Sequence, residues 1–448
     1  MQSRRLTVAA TIALAAAVAV AFSDSSIVVL ALPELYTHFR TTIVGVSWVI
    51  TAYNLVVAIA ALALIPVAGR YPRVEAAGGL ALFLGASIGC GLAWSLPALF
   101  TFRCIQGLGA ALLLTGALPV LRSLTGSVHR GAAVWASAGA IGVAVGPALG
   151  GILTQLFDWR AIFFVQAPVA GLGLAAVFHR RITDLPRTRL DRRRLLTADS
   201  GLLCLFGSIV GALFLSVLLV VTVWQFSPIE GALVVSALPL AGMAVRPLAR
   251  RLSLVQGGVG GALLMAAGLL GLAFLPASSA TWAIPALALC GAGFGLAVPP
   301  LTRTSVDEAD LGRSATLSVG ARHIGLVIGL AAIAPLIAST VEAAGDKATT
   351  SATAAVLDAH ISVFKKVPIA LGLRDEFKKA QAGEIPDLAK PFDDAGAGND
   401  ASVRKARDQL LTAVRAPLTR SFRPGFALAA LFAALAVIPL LVLGRRLR

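Results

Sequence analysis

Apolar residues along this chain fall into long blocks separated by short polar gaps. Cutting the chain at those gaps leaves apolar runs near 7–32, 43–66, 76–93, 97–121, 131–156, 161–178, 200–223, 231–249, 258–276, 281–301, 315–339 and 425–443. A hydrocarbon layer of roughly 30 Å needs about 20 apolar helical residues to cross it. The blocks therefore predict twelve spans and an all-α membrane protein. Arg4 and Arg5 ahead of the first run would also suit a secretory signal peptide. Against that reading stand the length of the run and the eleven further runs behind it.

Composition agrees with this pattern. Hydrophobic residues make up 57% of the 448, charged residues only 13%, and mean hydropathy is +0.85. That is more apolar surface than a water-soluble core requires, so the bilayer is the solvent. Arginines set the orientation. Arg4/Arg5, Arg70/Arg73, Arg122/Arg130, the cluster from Arg180 to Arg194, Arg250/Arg251, Arg303/Arg313 and Arg445/Arg446/Arg448 occupy alternate gaps, while the other short gaps hold little beyond Arg40 and Arg160. Positive charge marks the cytoplasmic side, which places both termini there. The formal net charge of +16 is largely this inner-face signal and needs no nucleic acid to explain it. The gap 179–194 is a candidate contact for anionic lipid heads.

Two polar stretches interrupt the rhythm. The first, 179–199, contains Pro186 and many charges, and reads as a cytoplasmic linker between a six-helix bundle over 1–178 and a second over 200–448. The other, 340–423, lies on the extracytoplasmic side by the parity of the spans. It holds all seven lysines of the chain, Lys347, Lys365, Lys366, Lys378, Lys379, Lys390 and Lys405, and so reads as a soluble insertion between spans 11 and 12. Val403, Ala406, Leu410, Val414 and Leu418 recur at helical spacing, with Val356, Ala359 and Val363 a weaker stripe. Pro386, Pro391, Gly396 and Gly398 break the middle. Two helices flanking a turn-rich centre are expected, either as a solvated hairpin or as a cap that guides an amphiphile.

Other chemistries find little support. Cys90, Cys104, Cys204 and Cys290 lie in apolar runs without metal-ligand spacing, and read as small packing residues outside any disulfide framework. His38, His129, His179 and His360 show no catalytic or metal spacing. No GxxxxGK[ST] string is present, so the chain has no phosphate-binding loop for ATP. No cofactor and no metal is expected, and energy must come from an ion gradient or from the substrate's own gradient.

The first run contains an acid. Asp24 is costly in hydrocarbon, and an intramembrane acid marks a functional site by default. It lies nine residues before Pro33, and Arg103 lies six residues after Pro97. At 1.5 Å per residue those depths are about 13 and 9 Å from the outer ends of spans 1 and 4, so the two charges can meet. Two readings stand: a pair in which a proton neutralises Asp24 during function, or a permanent pair that fixes helix register. Gln106 adds a polar group at similar depth, and Gly107, Gly109, Ala110 and Ala111 permit close helix approach. In span 5, Gly139, Gly142, Gly146, Pro147, Gly150 and Gly151 make a face without side chains and a point where the helix can kink and slide. His323 lies beside Arg322 near the inner end of span 11. Contact with lipid heads or a neighbouring carboxylate is the simpler account, and a proton relay the sharper one.

These strings together resemble the drug/proton antiporters of the major facilitator superfamily, most closely their fourteen-helix branch. Asp24 to Pro33 is similar to the family's span-1 motif, Trp48 to Tyr53 to its span-2 opening, and Arg103 to Gly109 to its proton-linked span-4 motif. Gly146 to Gly151 resembles its antiporter motif, and Asp158 to Phe164 the entry to span 6, although Gln166 stands where asparagine is usual. Gln225 to Pro228 with Leu238-Pro239, and Arg322 to Gly325 with Gly329, resemble elements of spans 7, 8 and 11. Two departures stand out. The loop between spans 2 and 3 is shortened to Gly69–Val74 without an acid in its usual place, and the branch's two extra central spans are absent.

The resemblance implies a major facilitator fold and a proton-driven exporter, not an enzyme, in a bacterial cytoplasmic membrane. Proton coupling would map to Asp24 and Arg103. Substrate contact or gating would map to Tyr53, Asn54, Gln106, Gly146, Pro147, Gly150, Gly151 and Gln225, with Arg322 and His323 as candidate relay. Its partners would be a small hydrophobic or amphiphilic substrate, protons and membrane lipid, and nothing demands more than a monomer. Two alternatives remain open: export of a lipid or cell-envelope precursor, suggested by the long insertion, and a non-transporting receptor or assembly factor, suggested by the degraded loop.

Overall fold

The computed structural model describes residues 2–179, 190–276, 278–307, 310–358, 362–379, 390–397 and 400–446. Among them there is no strand. The helices are α1 (Gln2–Val29), α2 (Leu32–His38), α3 (Ile43–Leu64), α4 (Pro72–Gly91), α5 (Leu96–Thr125), α6 (Val128–Leu156) and α7 (Arg160–Val177). Then come α8 (Arg192–Val217), α9 (Pro228–Ala244), α10 (Arg246–Ala249), α11 (Leu254–Ala273), α12 (Ala280–Ser305), α13 (Leu311–Asp358), α14 (Val363–Lys379), α15 (Lys390–Asp394), α16 (Ala401–Ser421), α17 (Arg423–Leu435) and α18 (Val437–Arg446). Among the described residues, twelve helical stretches are long and apolar enough to cross a membrane. The protein is a multi-pass membrane protein.

The polar gaps do local work at the helix ends. Thr42, Ser95, Ser127, Asp191, Ser227 and Ser253 each accept a backbone N–H in the first turn of the helix that follows. Such a cap satisfies one of the four orphan donors and contributes about 1 kcal/mol. Within the spans, Pro119, Pro147, Pro168, Pro239 and Pro335 sit inside helices, as membrane helices tolerate. A π-helical stretch, Leu218–Val223, ends α8. The outer surface is apolar: Leu172, Leu233 and Leu263 are more than half exposed, the arrangement expected when lipid tails cover them.

In the first half α1 packs on α5, α6 and α7, while α4 packs on α5 and α7; in the second, α8 packs on α12, α13 and α17, and α11 on α12 and α17. The halves meet through α3 on α13 and α6 on α9. They touch near both ends. At the end carrying the insertion, Ile229 N–H donates to Gln155 Oε1 at 2.8 Å; at the arginine-rich end, Gly312 packs against Ala68 and Gly69.

Two expectations need correction here. The insertion is not two helices around turns: α13 runs unbroken past residue 340 to Asp358, and α14, α15 and α16 follow. Polarity marked where the membrane stops, not where the helix stops. Val403, Ala406 and Leu418 are buried as the stripe predicted, whereas the side chains of Val356, Ala359, Val363, Leu410 and Val414 lie outside the described residues. Most of the segment read as linker, 180–189 with Pro186, lies there too, and from Arg192 onward the chain is already α8, capped by Asp191.

Candidate functional site

The polar run Ser23-Asp24-Ser25-Ser26 near the end of α1 resolves into two kinds of side chain. Ser23 and Ser26 turn back on their own helix, donating to the carbonyls of Val20 and Ser23. Asp24 and Ser25 project instead. Ser25 and Asn54 of α3 exchange hydrogen bonds, Asn54 Nδ2 donating to Ser25 Oγ at 2.9 Å and Ser25 Oγ to Asn54 Oδ1 at 3.0 Å. Asp24 Oδ2 meets Arg103 Nη2 of α5 at 2.6 Å, both side chains fully buried.

Around this pair a ring of polar groups closes. Arg103 Nη1 donates to Gln106 Oε1 at 2.7 Å, Gln106 Nε2 donates to Gln166 Oε1 of α7 at 2.7 Å, and Gln166 Nε2 donates to Asp24 Oδ1 at 3.2 Å. Arg103 and Gln106 are three apart on α5, which puts them on one helix face. Arg103 Nε also donates to the Val49 carbonyl at 2.9 Å, and Gln106 Nε2 to Ser87 Oγ of α4 at 2.9 Å. The guanidinium carbon lies 4.4 Å from the Tyr53 ring centroid and 5.8 Å from that of Phe163, within cation–π range. Tyr53 Oη donates to the Ala21 carbonyl. Five helices thus hold one compensated charge pair. Removing either charge leaves the other uncompensated, a cost of about 3–5 kcal/mol, so the cluster is sensitive to the protonation of Asp24.

The span-5 glycines serve close approach. A methyl group on Gly150 would sit 2.3 Å from the Ile27 carbonyl oxygen of α1, and one on Gly151 would sit 2.4 Å from Ala232 Cβ of α9. Gly146 packs on Ser26 of α1 in the same manner. Pro147 is buried inside α6. This helix is therefore wedged between its own half and the other.

Of the simple accounts of Arg322 and His323, contact with lipid heads is not what their burial shows, and a neighbouring carboxylate, Asp199, acts on Arg322. Arg322 is 8% and His323 4% exposed, twelve and thirteen residues into α13 and so about 17 Å from its start. Arg322 Nη2 donates to Thr302 Oγ1 at 2.8 Å. Its guanidinium lies 5.8 Å from the Trp135 ring of α6 and 5.3 Å from the Phe206 ring of α8. His323 Nδ1–H donates to the Val319 carbonyl at 2.8 Å, and its ring stands 6.5 Å from Tyr53. His323 thus faces the other half, and Arg322 lies between Thr302 and Phe206 of its own half and Trp135 of the other. Gln225 is the exception in the opposite sense: it is exposed just beyond the π-helical stretch with a φ of 60°, and the structure keeps it away from the buried ring.

Sequence reasoning passed over three buried polar residues. Gln166, noted only as a departure from asparagine, closes the ring. Glu75, one residue past the shortened loop, is 6% exposed and accepts from the backbone N–H of Gly69 and Tyr71, so the loop does have an acid, moved along to the first turn of α4. Asp199, assigned to the linker, is a buried residue of α8. The four cysteines are free thiols, and among the described residues no three His, Cys, Asp or Glu side chains converge to hold a metal.

Known proteins share both sequence and shape with this chain. Multidrug resistance protein Stp of Mycobacterium tuberculosis is 35% identical over 157 residues, covering 34% of this chain and 29% of Stp. The tetracenomycin C resistance and export protein of Streptomyces glaucescens is 30% identical over 242 residues, 52% of this chain and 44% of that protein. The matched part therefore spans less than half of either relative's length. A bacterial homolog of the human lysosomal transporter Spinster, in an inward-facing and occupied conformation, superposes with a TM-score of 0.66 at 14% identity over 97% of this chain and 96% of that one, which shows the shared fold. Residues 14–341 match the family model of the Major Facilitator Superfamily. The chain belongs to that superfamily.

Proposed function

We propose that this transporter is a proton-coupled antiporter that exports hydrophobic or amphiphilic small molecules across a bacterial cytoplasmic membrane, with both termini on the cytoplasmic face. The observation that carries the reading is the fully buried Asp24–Arg103 pair inside a closed polar ring. An acid kept in a membrane interior against its solvation cost is placed to exchange a proton. Relatives named for multidrug resistance and export support the substrate class.

In this scheme the bundles 1–178 and 200–448 rock against each other, with α6 and its Gly146–Gly151 stretch as the sliding contact. Ionised Asp24 holds Arg103 while substrate occupies the interior between Tyr53, Asn54 and the opposite half. A proton arriving from outside neutralises Asp24, weakens the pair, and lets the ring rearrange among Gln106 and Gln166. The proton shifts the balance only by what it contributes differently to the two states. Everted vesicles loaded by an imposed proton gradient, with ethidium as the probe, test the scheme. Asp24→Asn should abolish gradient-driven uptake; uptake equal to the unaltered chain would remove Asp24 from the mechanism.

A further inference from the structure

A second acid is buried in the other half. Asp199 is 4% exposed, eight residues into α8 and so about 10 Å from that helix's start at the arginine-rich end. Asp24 lies five residues before the end of α1, near the insertion end. The two carboxylates thus occupy opposite halves and opposite ends of the membrane interior. Unlike Asp24, Asp199 is under-supplied: the Arg322 charge acts on it and the Ser305 hydroxyl lies beside it, but that hydroxyl is directed to the Thr302 carbonyl at 3.2 Å and to Ser318 Oγ at 3.1 Å, which leaves both carboxylate oxygens without a well-formed hydrogen bond. Arg322 is incompletely used as well, since Nη2 donates to Thr302 while Nε has no acceptor. Buried polar atoms without partners are costly to a fold. A fold retains them where another species completes the set.

We propose that Asp199 is a second proton-binding carboxylate, which decides whether Arg322 is held by the C-terminal half or released toward Trp135 of the N-terminal half. The proposal rests on the proton-coupled reading above and adds a site at the opposite end of the path. With Asp199 ionised, the guanidinium is drawn to α8. When the carboxylate takes a proton from the arginine-rich side, that attraction ends and Arg322 is left to Thr302 and to the Trp135 ring of α6, 5.8 Å away. The surroundings leave Arg322 as the controlling charge. Next to it on α13, His323 is turned toward Tyr53, and α12 adds the uncharged Thr302 and Ser305. Arg303 of α12 and Arg445 of α18 are exposed, as are Arg192 and Arg193 on α8 itself. Arg194, also on α8, pairs with Asp307 at 3.7 Å. Arg5 of α1, Glu230 of α9 and Arg423 of α17 are exposed too.

Infrared difference spectroscopy on the full chain in lipid bilayers reads this directly. Carboxyl C=O bands that appear as pH falls should include one lost in Asp24→Asn and a different one lost in Asp199→Asn. Asp199→Glu should keep the second band at a shifted frequency, and this variant serves if the asparagine variant fails to fold. Transport of ethidium by Asp199→Asn in vesicles adds an independent measure. Loss of one coupled proton should lower gradient-driven accumulation by about tenfold per unit of pH difference, because each proton carries that factor. Spectra of both Asp199 variants that superpose on the unaltered chain overturn the proposal, even if Asp24→Asn abolishes uptake. If instead Asp24→Asn leaves uptake intact, the coupling scheme fails, and the second band still decides whether Asp199 binds a proton.

Discussion

Replacing one member of the Asp24–Arg103 pair should cost more than replacing both would suggest. At the 2.6 Å contact, Coulomb attraction at an effective dielectric constant of about 20 is roughly 6 kcal/mol in gross terms. Desolvation offsets most of that, so the pair as a whole stabilises little, while a lone survivor is left charged and buried. Asp24→Asn and Arg103→Met should each destabilise by about 3–5 kcal/mol. The double variant has no orphan charge. It still loses the Arg103 hydrogen bonds to Val49 and Gln106, worth about 1–3 kcal/mol together. The cycle should therefore show a coupling of about 3 kcal/mol or more, the double variant being more stable than the sum of the singles. Reversible unfolding in mixed detergent micelles, followed by tryptophan fluorescence, gives the four free energies. Additivity within about 0.5 kcal/mol would show that the two charges do not depend on each other.

Gln166→Leu removes a donor to Asp24 and an acceptor for Gln106; a loss of about 2–3 kcal/mol is expected, and an unfolding midpoint unchanged from the parent chain would contradict the ring. Gly150→Val forces side-chain atoms onto the Ile27 carbonyl and should destabilise by about 1–3 kcal/mol while slowing ethidium efflux; full efflux at parental stability would show that α1 and α6 have room to separate. In the insertion, Lys365 at 2.6 Å, then the Ser402 hydroxyl and N–H, hold the Asp400 carboxyl well below its usual range. A lowered acid stabilises the fold fully above the usual carboxylate range and loses that contribution as pH falls toward the folded value. The protection of the Val403 amide, taken relative to its intrinsic exchange rate at each pH, should accordingly fall in acid, and Asp400→Asn should remove that acid dependence; a variant that keeps the parental profile would assign it elsewhere.

The meeting of Asp24 with Arg103 was legible in the sequence because helix rise is fixed: two depths counted from Pro33 and Pro97 already agreed. Twelve spans were legible because a bilayer selects long apolar runs. Side-chain direction around a helix was not, and it is this direction that turns Gln166 of α7 toward α1 and α5. Asp199 was lost to its neighbourhood, since Arg192, Arg193 and Arg194 made the start of α8 look like the end of a linker. Counting span 11 from residue 315 leaves lipid heads and a neighbouring carboxylate equally open as partners of Arg322 and His323, whereas a helix that begins at Leu311 sets both residues deeper. Glu75 escaped notice because the acid of a short loop had moved into the next helix.

The unbroken α13 has a mechanical corollary. From Arg322 to Asp358 the helix runs about 54 Å at 1.5 Å per residue, with its root in the contact between the halves and its tip in the insertion. A rigid-body swing of about 15°, an ordinary size for subunit rotations, would sweep that tip by about 14 Å. The insertion is thus the pointer of a gauge, on which an ångström-scale adjustment beside Arg322 is written large enough for a pair of fluorescent labels to read.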